Sequence, residues 1–275
     1  MSKIFWIASY PKSGNTWFRA FLTNFLKNAM EPAGINELEG SWICANRRAF
    51  DDELGIESSD LSDDEISRFR PEVYRHMAAR SPETLFWKIH DAYRSETLIP
   101  SDATGGVVYL VRNPLDVSIS FAHHSRWTLD HTIEMMSRDS TMLAGTPGRL
   151  SLQLRQELLS WSNHVLSWLD QKAIPVHLVR YEDLCDRPLE TFGNAIQFLG
   201  MADDPARVSR SASFSSFETL QQQEQLHGFK ERPAELEFFF RKGKQGAWRD
   251  VLTQKQLDRV IRDHGAVMRR TGYLP

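Results

Sequence analysis

Cysteine is scarce in this chain: only Cys44 and Cys185 occur in 275 residues. They have neither metal-site spacing nor a disulfide framework, so a reducing, cytoplasmic setting is expected. Net charge is also small, since 33 Lys and Arg stand against 36 Asp and Glu to leave -3. Without a basic field no nonspecific nucleic-acid binding is expected, and any anionic ligand must be met by a local cluster of cations. Long apolar runs are missing as well. The run from Ile4 to Ala8 soon meets Pro11 and Lys12, too early for a signal-peptide core, and nothing after it is long enough for a membrane span. Repeats and low-complexity tracts are absent. What is present is an ordinary globular composition, 41% hydrophobic and 25% charged, enough for one large α/β core.

Short apolar runs alternate with helical patterns. Ile4 to Ala8, Thr84 to Lys88, Val107 to Val111 and Val176 to Val179 read as buried strands. Helices are expected over Thr16 to Lys27, Asp63 to Ala79, Leu150 to Leu169, Leu189 to Leu199 and about Pro205 to Ser211. Another begins at Asn113-Pro114-Leu115-Asp116, where a capping side chain precedes proline at the first helical position. Thr253 and Gln256 form a capping box for a last helix ending before Gly272. Glu31 to Asp64 reads as a long irregular excursion and Arg126 to Gly148 as a polar lid. This alternation implies an α/β fold: a single domain over residues 1–275 with a central parallel sheet flanked by helices.

Between the first strand and first helix stands Tyr10-Pro-Lys-Ser-Gly-Asn-Thr-Trp17. A helix N-terminus offers unpaired N–H groups and partial positive charge to an anion, and Gly14 lets the backbone approach it closely. Lys12 adds a mobile full charge; Ser13, Asn15 and Thr16 add polar side chains. Lys12 precedes the only glycine of the loop, whereas a Walker A loop places lysine after its second glycine. The loop is therefore read as a phosphate cradle of another kind, with a small-molecule kinase and an inactive nucleotide-binding protein as the rival readings.

This loop resembles the 5′-phosphosulfate loop of the cytosolic-type sulfotransferases, which use 3′-phosphoadenosine 5′-phosphosulfate (PAPS); their commoner form has Thr at the position of Asn15. Val108-Tyr-Leu-Val-Arg-Asn-Pro-Leu-Asp-Val-Ser-Ile-Ser120 is similar to the family's 3′-phosphate segment, which assigns Arg112 and Ser120 to that phosphate. Phe240-Arg-Lys-Gly-Lys-Gln-Gly-Ala-Trp248 resembles its Arg-Lys-Gly segment, adding Arg241, Lys242 and Gly243. The resemblance further implies that Trp17 and Phe217 flank the adenine, that Tyr181 reaches its edge, and that Ser216 bonds beside it. It implies a P-loop-like fold, PAPS as donor, the bisphosphate PAP as product, and no metal. The opening and length look similar to bacterial members.

For chemistry, Lys88-Ile89-His90 resembles the family's Lys-x-His, which makes His90 the base and Lys88 a transition-state support. Alternation puts both side chains on one side of an extended segment, and imidazole titrates near working pH. Lys12 is assigned to the leaving oxygen, and Ser120 to restraining that lysine before acceptor binding. His123, His124 and His131 lack a carboxylate to complete a metal site and read as surface or acceptor-pocket residues. The acceptor is expected to be a small hydroxylated molecule, or an amine. Trp42, Phe50, Trp87, Tyr93, Trp127 and Phe238 to Phe240 could line its pocket, although core packing suits most of them better. The Lys-x-x-x-Thr-Val-x-x-x-Glu dimer signature of animal members is absent before Arg241, so oligomeric state stays open.

Overall fold

A computed structural model describes residues 3–94, 98–145, 150–202, 204–241 and 243–275, with the side chains of 41–43 left aside. At its centre lies β1 (Ile4–Ser9), flanked by β3 (Leu85–Ile89) and β4 (Thr104–Val111). β2 (Gly40–Ile43) lies outside β3, and β7 (Val176–Arg180) outside β4. The order β2-β3-β1-β4-β7 is parallel throughout. A parallel sheet must be covered on both faces, and β1 shows how. Trp6 and Ala8 join a core with Tyr74, Trp87, Tyr109 and Trp168, while Ile7 joins Phe18, Phe21, Phe25, Phe192 and Ile196 on the opposite face.

The helices follow from local signals. α3 (Asp63–Arg80) and α11 (Gln254–Arg270) open with full capping boxes, at Ser62/Glu65 and Thr253/Gln256. α4 (Pro114–Ser125) starts at the Asn113 cap, and α6 (Trp161–Asp170) at the Ser160 cap. α8 (Pro188–Phe198) and α9 (Pro205–Phe214) open on proline. The structure adds α7 (Tyr181–Asp186) and α10 (Phe217–His227), neither of which was expected from sequence.

Three expectations need correction. Leu150 to Leu169 is not one helix. Its first half is extended: Leu154 N donates to Ala45 O, Arg47 N donates to Leu152 O, and β6 (Gln156–Glu157) pairs with β5 (Met142–Leu143). Leu154 and Leu158 of the expected stripe are buried all the same, but from an extended segment rather than a helix, while Leu150 and Leu152 are exposed. The excursion 31–64 contains β2 and α2 (Arg47–Leu54), the latter capped by Asn46. The polar lid holds α5 (Leu129–Met136), whose Ile133 and Met136 are fully buried; residues 146–149 of that stretch lie outside the described residues. In a chain so rich in charged neighbours, two apolar side chains at helical spacing suffice to dock one short helix.

Candidate active site

The strand order brings the loop after β1 between the ends of β3 and β4, so Lys12 is flanked by His90 on one side and Arg112 on the other. Ligands of open α/β sheets bind at such carboxyl-edge crevices. A cleft of about 740 Å³ lies there. Lys12, Gly14, Asn15, Thr16, Trp17, Lys88, His90, Arg112, Ser120, Tyr181, Phe217, Arg241 and Gly243 all line it, although they come from six separate segments of chain. Ser13 is buried just behind the loop, and Ser216 caps α10 through Thr219 N rather than lining the cleft. Lys242 lies outside the described residues.

α1 (Asn15–Lys27) begins on Gly14 with no side-chain cap and no acid in its first turn. α3, α4, α6, α9 and α11 all have side-chain caps, whereas the N–H groups of α1 are left for a ligand. Gly14 has φ 99°, and a Cβ there would lie 2.8 Å from the Tyr181 ring. Both facts require glycine. Asn15 is engaged elsewhere: its amide donates to Ile7 O at 2.9 Å and to Ser9 Oγ at 3.3 Å, pinning the loop to β1. Its side-chain amide is thus committed within the protein. Ser13 Oγ, Trp17 Nε1 and Arg112 Nε are buried polar atoms without a protein partner. Buried donors left unpaired are costly, and here they surround a helix N-terminus, which fits a polyanionic nucleotide.

Arg112 lies 4.1 Å from the centre of the Tyr181 ring and donates to Lys12 O and Lys244 O, so it ties the first loop to the basic segment after Phe240. That segment is fixed by Asp116, whose carboxylate accepts Gly246 N at 2.7 Å and Trp248 N at 3.1 Å. Gly243 has φ 58°, and a Cβ would meet Phe217 at 2.2 Å. Gly243→Ala should therefore push Phe217 off the segment and weaken binding of adenosine 3′,5′-bisphosphate by about tenfold or more. Isothermal calorimetry giving wild-type affinity would reject this close-packing argument.

The catalytic candidates meet at the other end. His90 Nδ1 lies 2.8 Å from Ser9 O. A carbonyl only accepts, so Nδ1 carries the proton and Nε2 holds the lone pair. Burial, then the charge of Lys88, hold His90 down to about 3. Behind it, His164 Nε2 donates to His90 O while its Nδ1 accepts from Tyr109 OH. Lys12 Nζ donates to His124 Nδ1 at 3.3 Å and lies 4.1 Å from the Phe239 ring centre. Burial, with Lys88 and Arg112 nearby, pulls Lys12 down to about 7. Burial and Lys12 likewise keep His124 neutral, at about 3.

Several residues here carry no sequence signal. Glu231 pairs with both Arg19 and Lys88, which lie 212 and 143 positions away. His124 was read as a surface or acceptor-pocket residue, but its contact with Lys12 depends on how α4 docks. Asp116 looked like a first-turn acid and serves also as the clamp of a distant loop. Of the aromatic acceptor candidates, Phe239 and Phe240 line the cleft, with Phe121 beside them. Phe50 and Trp87 are core residues, Tyr93 packs on Trp168 and Trp127 on Phe121; the Trp42 side chain lies outside the described ones. His131 packs edge-on against Trp127. Among the described residues no His, Cys, Asp or Glu cluster is placed to hold a metal, and no helix is long and apolar enough to cross a membrane.

The family model of the sulfotransferase domain matches residues 2–272. A flavonol 3-sulfotransferase of Flaveria bidentis is 23% identical over 270 residues, 92% of this chain and 78% of that protein. The cytosolic sulfotransferase 13 of Arabidopsis thaliana is 22% identical over 285 residues, covering 94% and 75%. Among solved structures, a mouse sulfotransferase complexed with PAP superposes with a TM-score of 0.60 at 21% identity, covering 97% of this chain and 85% of that one. A retinol dehydratase in complex with retinol and PAP gives 0.64 at 21% identity, covering 96% and 81%. The central parallel sheet with its phosphate loop is the fold these structures share. With the match spanning nearly every residue, the chain belongs to the sulfotransferase family, as a PAPS-dependent enzyme of the cytosolic type.

Proposed function

We propose that this enzyme moves the sulfuryl group of PAPS to a hydroxyl of a small acceptor, with His90 as base and Lys12 facing the leaving phosphate. The observation carrying the reading is the Ser9 O contact of His90. It fixes the tautomer with a free Nε2 lone pair, in a cleft where Lys12, Lys88 and Arg112 converge.

PAPS supplies a sulfuryl group already joined to a good leaving phosphate, so the protein must position groups and balance charge. The uncapped start of α1 and Lys12 suit the 5′-phosphosulfate end. Arg112, Ser120, Arg241 and the Gly243 backbone suit the 3′-phosphate, and Trp17, Tyr181 and Phe217 supply faces and edges for the base. These assignments agree with the three unpaired buried donors described above. His90 Nε2 takes the acceptor's proton as its oxygen attacks, and Lys12 balances the charge that develops on the phosphate.

A low proton affinity would handicap a base, but the anionic donor offsets it. Negative charge brought beside Lys12 and His90 raises the proton affinity of both. Phe121, Leu143, Leu236 and Phe239 give the acceptor half an apolar wall, which favours a hydroxyl on an apolar or aromatic body.

His90→Ala should lower kcat by about 10²–10⁴ while leaving PAP affinity nearly unchanged. Transfer rates near wild type with phenolic and alcoholic acceptors would sink the assignment. A donor assay with ATP beside PAPS tests the nucleotide separately.

A further inference from the structure

Glu231 is a carboxylate at the cleft wall that the proposed chemistry leaves without a task. It sits on the segment that covers the site between α10 and Arg241. Its Oε1 lies 2.6 Å from Arg19 Nη2 and its Oε2 lies 3.0 Å from Lys88 Nζ. Arg19 Nη1 adds a second contact at 3.1 Å, making the pair two-pronged. The Arg19 side chain is 0% exposed, Lys88 16% and Glu231 27%. Arg19 belongs to α1, the helix whose start cradles the donor, and Lys88 stands two residues before His90.

We propose that Glu231 is a positioning residue for sulfuryl transfer: it holds Lys88 charged and aimed beside His90, and through Arg19 it locks the cover segment onto the donor helix. The inference rests on the His90 reading above and deepens it.

The surroundings of Lys88 explain why one carboxylate matters. Lys88 faces Glu231 from the cover, Arg19 from α1, Lys12 from the donor loop, Cys44 after β2, His124 from α4 and His90 on its own segment. Burial keeps the Cys44 thiol neutral by pushing it up to about 12, and the two histidines are held neutral as described. Glu231 is therefore the only anion in this set, against three cations. Burial would raise its carboxyl, but Lys88 and Arg19 outweigh that and hold it at about 2, so it stays ionised at working pH. Burial and Arg19 both press Lys88 towards its neutral form, and the Glu231 charge opposes them. A Lys88 that lost its proton would offer no charge to a developing transition state.

The same bond ties the cover to the chemistry. Phe239 and Arg241 follow Glu231 on one short stretch, and both line the cleft. Fixing Glu231 therefore fixes the acceptor wall and the 3′-phosphate segment against a single buried anchor.

The test compares Glu231→Gln, Glu231→Asp, Lys88→Met and the Glu231→Gln/Lys88→Met double variant, reading kcat and KM against pH with PAPS and a phenolic acceptor. Glu231→Gln should lose about tenfold or more in kcat at pH 7. Its alkaline limb should move to lower pH by about one unit, because the lost anion lets Lys88 deprotonate sooner. Glu231→Asp keeps the charge and should recover most of the rate. The double variant should lose less than the two single losses multiplied together, since part of the effect of Glu231 runs through Lys88 and the rest through its Arg19 anchor.

A Glu231→Gln enzyme with the wild-type rate and pH profile overturns the proposal, as does a double variant whose loss multiplies the two single losses. Should Glu231→Gln fail to fold, Lys88→Met decides, because it leaves the Arg19–Glu231 pair intact. Lys88→Met with lowered kcat and unchanged PAP affinity supports the role; wild-type kcat overturns it without touching the His90 reading. An active His90→Ala enzyme would instead remove that reading while leaving the Lys88 result standing.

Discussion

Lys12→Met should cripple transfer and at the same time raise the stability of the donor-free protein at neutral pH. The loss of transfer follows from position: Lys12 stands two residues ahead of Gly14 at the start of α1, and in the proposed mechanism removing its charge from the leaving phosphate costs roughly 10²–10³ in kcat. The gain in stability follows from environment. Lys12 is partly buried and faces Lys88 and Arg112. Its folded value of about 7 lies below the ordinary 10.5. The unfolded chain therefore binds more protons between those values, and stability rises with pH across that window. Below pH 7 the penalty of a charged Lys12 is present in full. Methionine removes it, worth on the order of 1–3 kcal/mol once screening by water in the open cleft is allowed for. Thermal unfolding from pH 6 to 10 checks both signs. The wild type should gain stability as pH rises from 7, and Lys12→Met should flatten the slope. Saturating PAP should do the same for the wild type by supplying the missing anion. Parallel pH curves for the two proteins would reject the account.

That behaviour marks a boundary in what the sequence reveals. The Gly14 loop, the Lys88–His90 segment and the strand-terminal Arg112 were legible as local patterns, and the structure gathers them in one cleft. A strand followed by Gly14 and an uncapped helix must aim its N–H groups at something. The capping boxes at Ser62 and Thr253 and the Asn113 start were equally legible and stand where expected. Leu150 to Leu169 misled because apolar residues spaced as on a helix can also be buried from an extended segment, as Leu154 and Leu158 are. Leu150 and Leu152 face solvent, and the chain there pairs its backbone with residues 45–47 instead. The charge network escaped for a related reason. Glu231 lies between Lys230 and Arg232, a setting that suggests a solvated turn, and its true partners are set by how the cover folds over α1. Asn15 shows the subtler case. Its amide looked like a ligand for phosphate and instead binds the loop to Ile7 and Ser9.

Asp91→Ala should be the most destabilising single change near the site, and it should slow catalysis through His90. Asp91 follows His90 and forms a two-pronged ion pair with Arg70, both contacts at 3.0 Å, with side chains 3% and 4% exposed. Arg70 Nε donates to Tyr74 OH, which donates in turn to Cys44 O, so β2, α3 and the end of β3 share one buried network. Removing the carboxylate leaves a guanidinium charged and unpaired in the core, since burial cannot neutralise arginine at any working pH. The cost expected for breaking one partner of a buried pair is about 3–5 kcal/mol, or roughly 10 °C in Tm for a chain of this size. Replacing both partners tests the cause rather than the contact. Arg70→Met with Asp91→Leu removes both charges, and a well-packed apolar pair can match the ion pair it replaces. The double variant should therefore regain most of the lost Tm. Its backbone anchors persist, because Trp168 Nε1 donates to Asp91 O and His164 to His90 O irrespective of the Asp91 side chain. Asp91→Ala should lower kcat while PAP affinity changes little, because the donor cradle hangs from β1 and β4 rather than from β3. Calorimetric Tm values for the two variants decide the matter: a single variant as stable as wild type, or a double variant no better than the single, would show that the buried charge is not what the β3 end depends on.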